Sequence, residues 1–214
     1  MANSDSGSRK GKLVARALAG SWRSVSLPSF DLSAAELDEV APLLYGSGAA
    51  ALGWCRVRNT NLKDESPAVV LQQAYRLLAL QSAIHEQKLE KVFRLLRQAS
   101  VEAVLAKGWA AARLYPDSAL RPYGDFDLLV RPSQFKVAEE VLSSPEARDC
   151  WVDLHKHFSE VNDRSVDELF SRATSVPLGQ ENVRILSVED HLALLSIHLL
   201  KHGAWRPVWL CDIG

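Results

Sequence analysis

The sequence predicts an α/β fold (α+β in arrangement), in which helical segments flank a small mixed β-sheet on both sides along the chain. Two observations predict this class. Apolar residues recur at helical intervals over residues 68–98 and again from residue 187. Between these stretches, short apolar runs bounded by Gly and Pro alternate with helical spacing, which is the pattern of a small α/β core.

The first part of the chain is predicted to be helical after a polar tail. Residues 1–12 are small, polar and basic, and we expect a disordered tail there. Residues 13–100 are expected to form a helical region, in which Ser33 and Glu36 show the capping-box pattern that opens a helix. A long helix over about residues 68–98 has one apolar face that we expect to be buried: Val70, Ala74, Leu77, Leu78, Ile84, Leu89, Val92, Phe93 and Leu96.

Residues 101–160 are expected to form the α/β core, and residues 161–214 a second helical region. The predicted order in the core is strand 101–106, helix 109–115, strand 126–130, helix 134–142 and strand 151–158. In the last region, Ser187 followed by Asp190 predicts another helix cap. The chain stops after an apolar run without a closing helix, so we expect this region to be incomplete.

Composition and charge argue against several classes of protein. The 25 Lys and Arg residues against 26 Asp and Glu residues give a net charge of −1, which indicates no clear nucleic-acid-binding surface and no attraction to an anionic membrane. The three cysteines are too far apart for a zinc knuckle, and their odd number argues against a disulfide framework. No apolar run reaches the roughly 18 residues of a membrane span. We therefore expect a cytoplasmic protein.

Asp125 and Asp127 are the first candidates for chemistry. At positions i and i+2 of a strand they would project from the same face, while Phe126 points into the core. Two carboxylates held so close repel each other unless a cation lies between them, and Mg²⁺, or Mn²⁺ in its place, suits such oxygen ligands. The alternative is a pair of solvated acids at the entrance of a strand.

The residues around these acids point to a phosphate ligand. Lys107-Gly108 ends one predicted strand and begins a helix, where backbone N–H groups and the helix dipole attract phosphate. Arg121 stands four residues before Asp125 and is a candidate to hold a triphosphate or to help close the loop. Asp153 opens the last predicted strand and is a third candidate ligand for the metal. The alternatives are a structural glycine, a surface arginine and an exposed acid.

Histidines offer a different candidate site. Those with helical or strand spacing would together suit zinc or manganese: His155, His157, His191, His198 and His202. However, the Glu that a metallopeptidase helix uses as its base is missing between His198 and His202. The alternative is that these side chains pack in the core or face another ligand.

Three segments carry a resemblance to a known family. Residues 104–108, 114–116 and 121–130 resemble the bacterial uncharacterised nucleotidyltransferase family, which belongs to the DNA polymerase β-like nucleotidyltransferase superfamily. Asp153-Leu154-His155 is similar to the family's strand with an acidic residue and a histidine, and residues 187–213 are similar to its helical region. The resemblance covers about residues 36–214, and residues 107–130 are its specific part.

The resemblance implies a nucleotidyltransferase core and a transferase activity. A nucleoside monophosphate would move from an NTP to an unknown acceptor hydroxyl, with two Mg²⁺ ions and release of pyrophosphate. The residues that the resemblance implies for catalysis and metal binding are Asp125, Asp127 and Asp153. Those that it implies for nucleotide (ATP) binding are Lys107, Gly108, Arg121, Lys201 and His202.

Two other functions stay open. Gly108-Trp109 stands where the wider superfamily has Gly-Ser or Gly-Gly, so this chain offers no serine hydroxyl for a phosphate there. This departure favours a catalytically degenerate binding or regulatory module of the same fold. The histidines leave a metal-dependent hydrolase as the third hypothesis.

Overall fold

The computed structural model describes residues 2–23 and 27–214 as an α/β structure with a five-stranded mixed sheet, which confirms the predicted class. The helices are α1 (Ala2–Leu18), α2 (Ala34–Gly46), α3 (Ala50–Val57), α4 (Ser66–Gln98), α5 (Gly108–Ala112), α6 (Phe135–Leu142), α7 (Val166–Arg172), α8 (Val188–Lys201) and α9 (Pro207–Cys211). The strands are β1 (Ala103–Ala106), β2 (Phe126–Val130), β3 (Val152–His155), β4 (Thr174–Leu178) and β5 (Glu181–Ile185). None of the described helices has the length and apolar character that a membrane crossing requires.

The strands lie in the order β3-β2-β1-β5-β4. β1 pairs antiparallel with β2 and parallel with β5, and β2 pairs parallel with β3. The parallel β2–β3 pair needs a crossover, and α6 supplies it. This topology brings the end of β1 together with the beginnings of β2 and β3 at one end of the sheet.

The sheet is buried on both faces, because successive residues of a strand point to opposite sides. Leu105 and Phe126 pack with α4 on one face, as predicted for Phe126. Val104 and Leu129 pack with α7 and α8 on the other face. Such double burial explains why β1 and β2 consist of uninterrupted buried residues.

The N-terminal helices form a separate core with the first half of α4. The predicted capping box is present: the Ser33 hydroxyl accepts from the Glu36 backbone N–H, and the Glu36 carboxylate accepts from that of Ser33. Arg16 of α1 also pairs with Glu36, at 2.8 Å. The hydrogen bond from the Ser33 backbone N–H and the one from the Arg16 side chain lower the pKa of the Glu36 carboxyl to about 2.

The expectation of a tail over residues 1–12 is corrected over the described residues, since α1 begins at Ala2. Met1 lies outside the described residues. Residues 7–12 are exposed, so their polar composition reflects a solvated helix surface. Arg9 pairs with Glu39 of α2 at 2.6 Å, which ties this surface to the helical core.

The long helix is confirmed, but its single buried face is not. Val70, Leu77 and Ile84 are exposed by 43%, 65% and 43%. The first half of α4 packs on the N-terminal core through Ala68 and Leu71, whereas its second half packs on the sheet through other residues. The helix therefore buries different faces along its length, which an average periodicity does not show.

The expected helical region over 161–214 also contains β4 and β5, which are joined through residues 179 and 180 and complete the sheet. Polar residues such as Glu181 and Arg184 hide the strand pattern of this hairpin. Pro177 is tolerated because β4 is an edge strand, where a missing N–H costs no ladder hydrogen bond. The expected strand 151–158 is shorter, at Val152–His155, and Trp151 is exposed.

Candidate active site

A cavity of about 620 Å³ opens at one end of the sheet, where β1 ends and where β2 and β3 begin. Its walls come from these strand ends, the loop before β2, the segment after β3, and the region of α8 and α9. All residues that the sequence predicts for catalysis or nucleotide binding line it: Lys107, Gly108, Arg121, Asp125, Asp127, Asp153, Lys201 and His202.

Asp127 and Asp153 form the acidic centre of this cavity. They are direct partners in the parallel ladder of β2 and β3, so their side chains leave the same face side by side. Asp127 is buried, and Asp153 is exposed at the mouth. The pairing required the crossover through α6, which the predicted strand-helix-strand order already contained.

Lys107 and His155 both contact the Asp127 carboxylate. Lys107 Nζ lies 3.0 Å from Asp127 Oδ1, and His155 Nε2 lies 3.3 Å from the same oxygen. Burial alone would raise the pKa of the Asp127 carboxyl, but the His155 hydrogen bond and the Lys107 charge outweigh it and hold the pKa below its ordinary value. Asp127 is therefore an ionised carboxylate at neutral pH, available to a cation.

Asp125 lines the same cavity, one residue before β2. β2 begins at Phe126, so Asp125 precedes the strand and its exposed side chain is not fixed by strand alternation against Asp127. In the part of the chain that the structure describes, one group of three residues brings potential metal ligands within 4.8 Å of one another: Asp127, Asp153 and His155. The expected pairing of Asp125 with Asp127 is thus replaced by that of Asp127 with Asp153.

The turn from β1 to α5 is strained and tightly packed. Lys107 has φ 48° and Gly108 has φ 31°. A Cβ on Gly108 would stand 3.2 Å from the carbonyl oxygen of Asp125. Since α5 has only five residues, the helix dipole expected to attract phosphate is small. The absence of a side chain at Gly108 instead lets this turn pack closely against the backbone of the loop before β2. Trp109 is buried and donates to Glu86 at 3.1 Å.

His191 of α8 holds this turn. Its Nε2 accepts a hydrogen bond from the Lys107 backbone N–H at 2.9 Å. Burial and the nearby charge of Arg121 lower the pKa of His191 to about 4, so the ring is neutral and can accept. His191 is therefore a positioning residue, a role that its spacing within α8 did not indicate.

Arg121 lines the cavity but is bound to Asp212. Its Nη2 and Nε lie 2.7 and 3.1 Å from the two carboxylate oxygens, and Tyr115 donates to Asp212 at 2.7 Å. Arg121 and Asp212 are both buried in this pair. These bonds make Arg121 a link between the loop before β2 and the segment after α9. This agrees with the expectation that Arg121 helps to close the loop, and not with a guanidinium that is free to hold a triphosphate. Asp212 is not among the residues predicted from the sequence.

The opposite wall is basic and aromatic. Lys201 pairs with Glu160 at 3.3 Å and is exposed, as is His202 at the end of α8. Arg206 stacks over Trp209 at 5.4 Å, and the rings of His198 and His202 lie within 6 Å of the same indole. Phosphates that enter the cavity would therefore meet positive side chains across from the acids.

The predicted histidine metal site does not assemble. His191 is engaged by Lys107, and His157 lies beyond β3. Among residues 2–23 and 27–214, only His155 joins a group of three potential metal ligands, and it does so with the two acids. The donor set of carboxylates and imidazole fits a divalent cation.

Comparison with known proteins agrees with this geometry. The family model described as uncharacterised nucleotidyltransferase matches residues 33–148 and 144–214. The chain belongs to this family. No curated protein and no solved structure matches it. Membership in the uncharacterised nucleotidyltransferase family confirms the predicted resemblance and supports nucleotidyl transfer as the general activity, and the matched residues include every predicted site residue.

Proposed function

We propose that this chain transfers a nucleoside monophosphate from an NTP to an acceptor hydroxyl and releases pyrophosphate. The observation that carries the proposal is the pairing of Asp127 with Asp153 in register on neighbouring strands, facing a cavity large enough for a nucleotide. Family membership supports the class of reaction. The nucleotide, the metal and the acceptor are parts of the proposal.

The reaction exchanges a phosphoanhydride linkage of the NTP for a phosphoester linkage to the acceptor. The acceptor oxygen forms a bond to the α-phosphorus, and the bond from that phosphorus to the oxygen bridging to the β-phosphate breaks. The electron pair leaves with pyrophosphate, and the acceptor proton passes to a base. Asp153 is the candidate base, because its carboxylate is exposed at the mouth of the cavity.

Asp125, Asp127 and Asp153 would hold the divalent ions, of which Mg²⁺ is the simplest. When bound, such ions neutralise phosphate charge and favour in-line displacement. Lys107 lies beside the acids and would contact the phosphates from that side. Lys201 and His202 would contact them from the opposite wall. Gly108 and Arg121 would shape the cavity.

A degenerate binding module is the second candidate, and one observation favours it. The position after Gly108 is a buried tryptophan whose indole is bound to Glu86, so no hydroxyl faces a phosphate there. A module of this kind would bind a metal–nucleotide complex through the same acids and leave the nucleotide intact. Binding together with turnover distinguishes the two candidates.

Calorimetric titration with ATP, GTP, CTP and UTP in the presence of Mg²⁺ tests the site. We expect binding that requires the metal and that weakens by about tenfold or more in the Asp125→Asn/Asp127→Asn double variant. Asp38→Asn, an exposed acid on α2, is the matched control and should bind as the wild type does. A folded wild type that binds none of the four nucleotides would refute the proposal.

A further inference from the structure

His155 occupies a position that its strand neighbours define. It is the direct partner of Leu129 in the parallel ladder of β2 and β3, two residues after the Asp127–Asp153 pair. Residues two apart share a face of the sheet, so the imidazole leaves β3 on the same side as both carboxylates. The backbone therefore directs all three side chains to one point.

The imidazole nitrogen lies between the two acids. Nε2 is 3.3 Å from Asp127 Oδ1 and 3.2 Å from Asp153 Oδ2. Ligand atoms that each lie about 2.1 Å from one ion are about 3 to 4 Å apart, so these separations match those of ligands around a shared cation. The three ligand atoms lie within 4.8 Å of one another, so modest side-chain movement suffices for one ion to bind all three.

The ring is also held in this orientation. Its centroid lies 4.8 Å from that of Phe158, which is buried. Phe158 lies three residues after the end of β3 and lines that side of the cavity. A ring packed in this way presents its Nε2 edge to the acids without further loss of side-chain freedom.

We propose that His155 is a metal ligand and that it gives this site a preference for first-row transition-metal dications over Mg²⁺. The inference deepens the proposed function, because it concerns the metal of the same site. Mg²⁺ favours all-oxygen ligand sets, whereas an imidazole nitrogen favours transition metals. One nitrogen among carboxylates therefore shifts selectivity away from Mg²⁺, and Mn²⁺ is the probe of choice because it accepts both donor types.

A purely structural role for His155 makes the opposite prediction. As a hydrogen-bond donor between Asp127 and Asp153, the ring would compete with a metal for both carboxylates. Its removal would then leave Mn²⁺ binding unchanged or tighten it. The sign of the change in Mn²⁺ affinity thus decides between ligation and positioning.

Mn²⁺ titration of the full chain without nucleotide, followed by electron paramagnetic resonance, measures this sign. We expect His155→Ala to weaken Mn²⁺ binding by about tenfold or more and to change Mg²⁺ competition much less. His155→Asp, which makes the site all-carboxylate, should lower the Mn²⁺-to-Mg²⁺ preference. His157→Ala removes an exposed imidazole from the same cavity and is the matched control, with unchanged binding.

Spin-echo modulation of bound Mn²⁺ supplies a second readout that needs no variant. The wild type should show coupling to a nitrogen nucleus, and ¹⁵N-histidine labelling should change that coupling. Absence of this coupling, absence of Mn²⁺ binding, or unweakened binding by folded His155→Ala would overturn the proposal. These measurements use the metal alone, so loss of nucleotide binding or turnover with the coupling intact would refute the proposed function and leave this inference standing.

Discussion

Lys107 shapes the cavity in two ways, through its backbone conformation and through its side chain. Its positive φ turns the chain from β1 into α5, while its ammonium reaches Asp127 at 3.0 Å. The conformation costs free energy, and the bond from its N–H to His191 offsets part of that cost. A histidine on α8 therefore positions a side chain at the acids without touching the ligand.

The pKa of His191 makes this contact sensitive to pH. The ordinary value is 6.5 and the folded value is about 4, because of burial and the charge of Arg121, with Lys107 acting in the same direction and Asp212 and Asp127 opposing. The His191 imidazole therefore binds a proton more readily in the unfolded chain than in the folded protein. The stabilising contribution is complete above pH 6.5 and is lost as the pH falls towards 4.

Urea unfolding of the wild type and of His191→Gln at pH 7.5 and pH 5 tests this contact. Glutamine keeps a hydrogen-bond acceptor but does not titrate. We expect the wild type to lose about 1–2 kcal/mol more of its free energy of unfolding than the variant on acidification. His157→Gln, an exposed histidine, should behave as the wild type. Equal losses in wild type and His191→Gln would show that His191 does not titrate as described.

The acids of the cavity could be predicted from the sequence, but the long-range contacts that position the residues around them could not. Strand alternation and the strand-helix-strand order suffice to place Asp127 and Asp153 together. The contacts of Lys107 with His191 and of Arg121 with Asp212 join residues 84 and 91 positions apart. No local periodicity encodes such pairs, because they depend on how α8 and α9 return to the sheet.

At the scale of elements, the β1–α5 turn requires glycine for a geometric reason. Gly108 combines φ 31° with a neighbouring carbonyl 3.2 Å from the place of a Cβ. That carbonyl belongs to Asp125, so the turn packs directly against the loop before β2. The local sequence predicted the turn but not the loop that packs on it.

Gly108→Ala should therefore destabilise the protein and displace the loop that carries Asp125. We expect a loss of about 1–3 kcal/mol in the free energy of unfolding, together with weaker nucleotide binding. Thermal unfolding and calorimetry measure the two effects. Gly124→Ala is the matched control, since nothing lies within 4 Å of its added Cβ. Equal stability of the two variants would contradict the crowding at Gly108.

The element pattern was predicted best where one physical signal dominates. The Ser33–Glu36 box and the apolar runs of β1 and β2 are such cases. The β4–β5 hairpin was missed because its exposed strand alternates polar residues with only a few buried ones. For α4 the periodicity predicted a single buried face, whereas each half of the helix buries a different face against a different core.

At the scale of the whole molecule, the last residues of the chain stabilise the centre. Asp212 follows α9 and holds Arg121, Tyr115 stands beside them, and all three are buried. Burial raises the pKa of Tyr115, so its hydroxyl remains a donor to Asp212. The wall formed by α9 is thereby fixed to the loop before β2, across the cavity.

Asp212→Asn should be strongly destabilising, because it leaves the Arg121 charge buried without a counter-charge. We expect a loss of about 3–5 kcal/mol in the free energy of unfolding, measured by urea denaturation. An Arg121→Met/Asp212→Leu double variant, which removes both charges, should recover part of that loss. A double variant as unstable as the sum of its single variants would show that the pair is not coupled.

³¹P nuclear magnetic resonance of ATP, GTP, CTP and UTP with Mg²⁺ or Mn²⁺ tests whether the acids of this cavity direct cleavage between the α- and β-phosphates of an NTP. With water in place of the acceptor, we expect the wild type to convert at least one of the four slowly to the nucleoside monophosphate and pyrophosphate, and Asp127→Asn to convert none. Conversion to a nucleoside diphosphate and phosphate, or four spectra that the folded wild type leaves unchanged, would refute the proposed transfer.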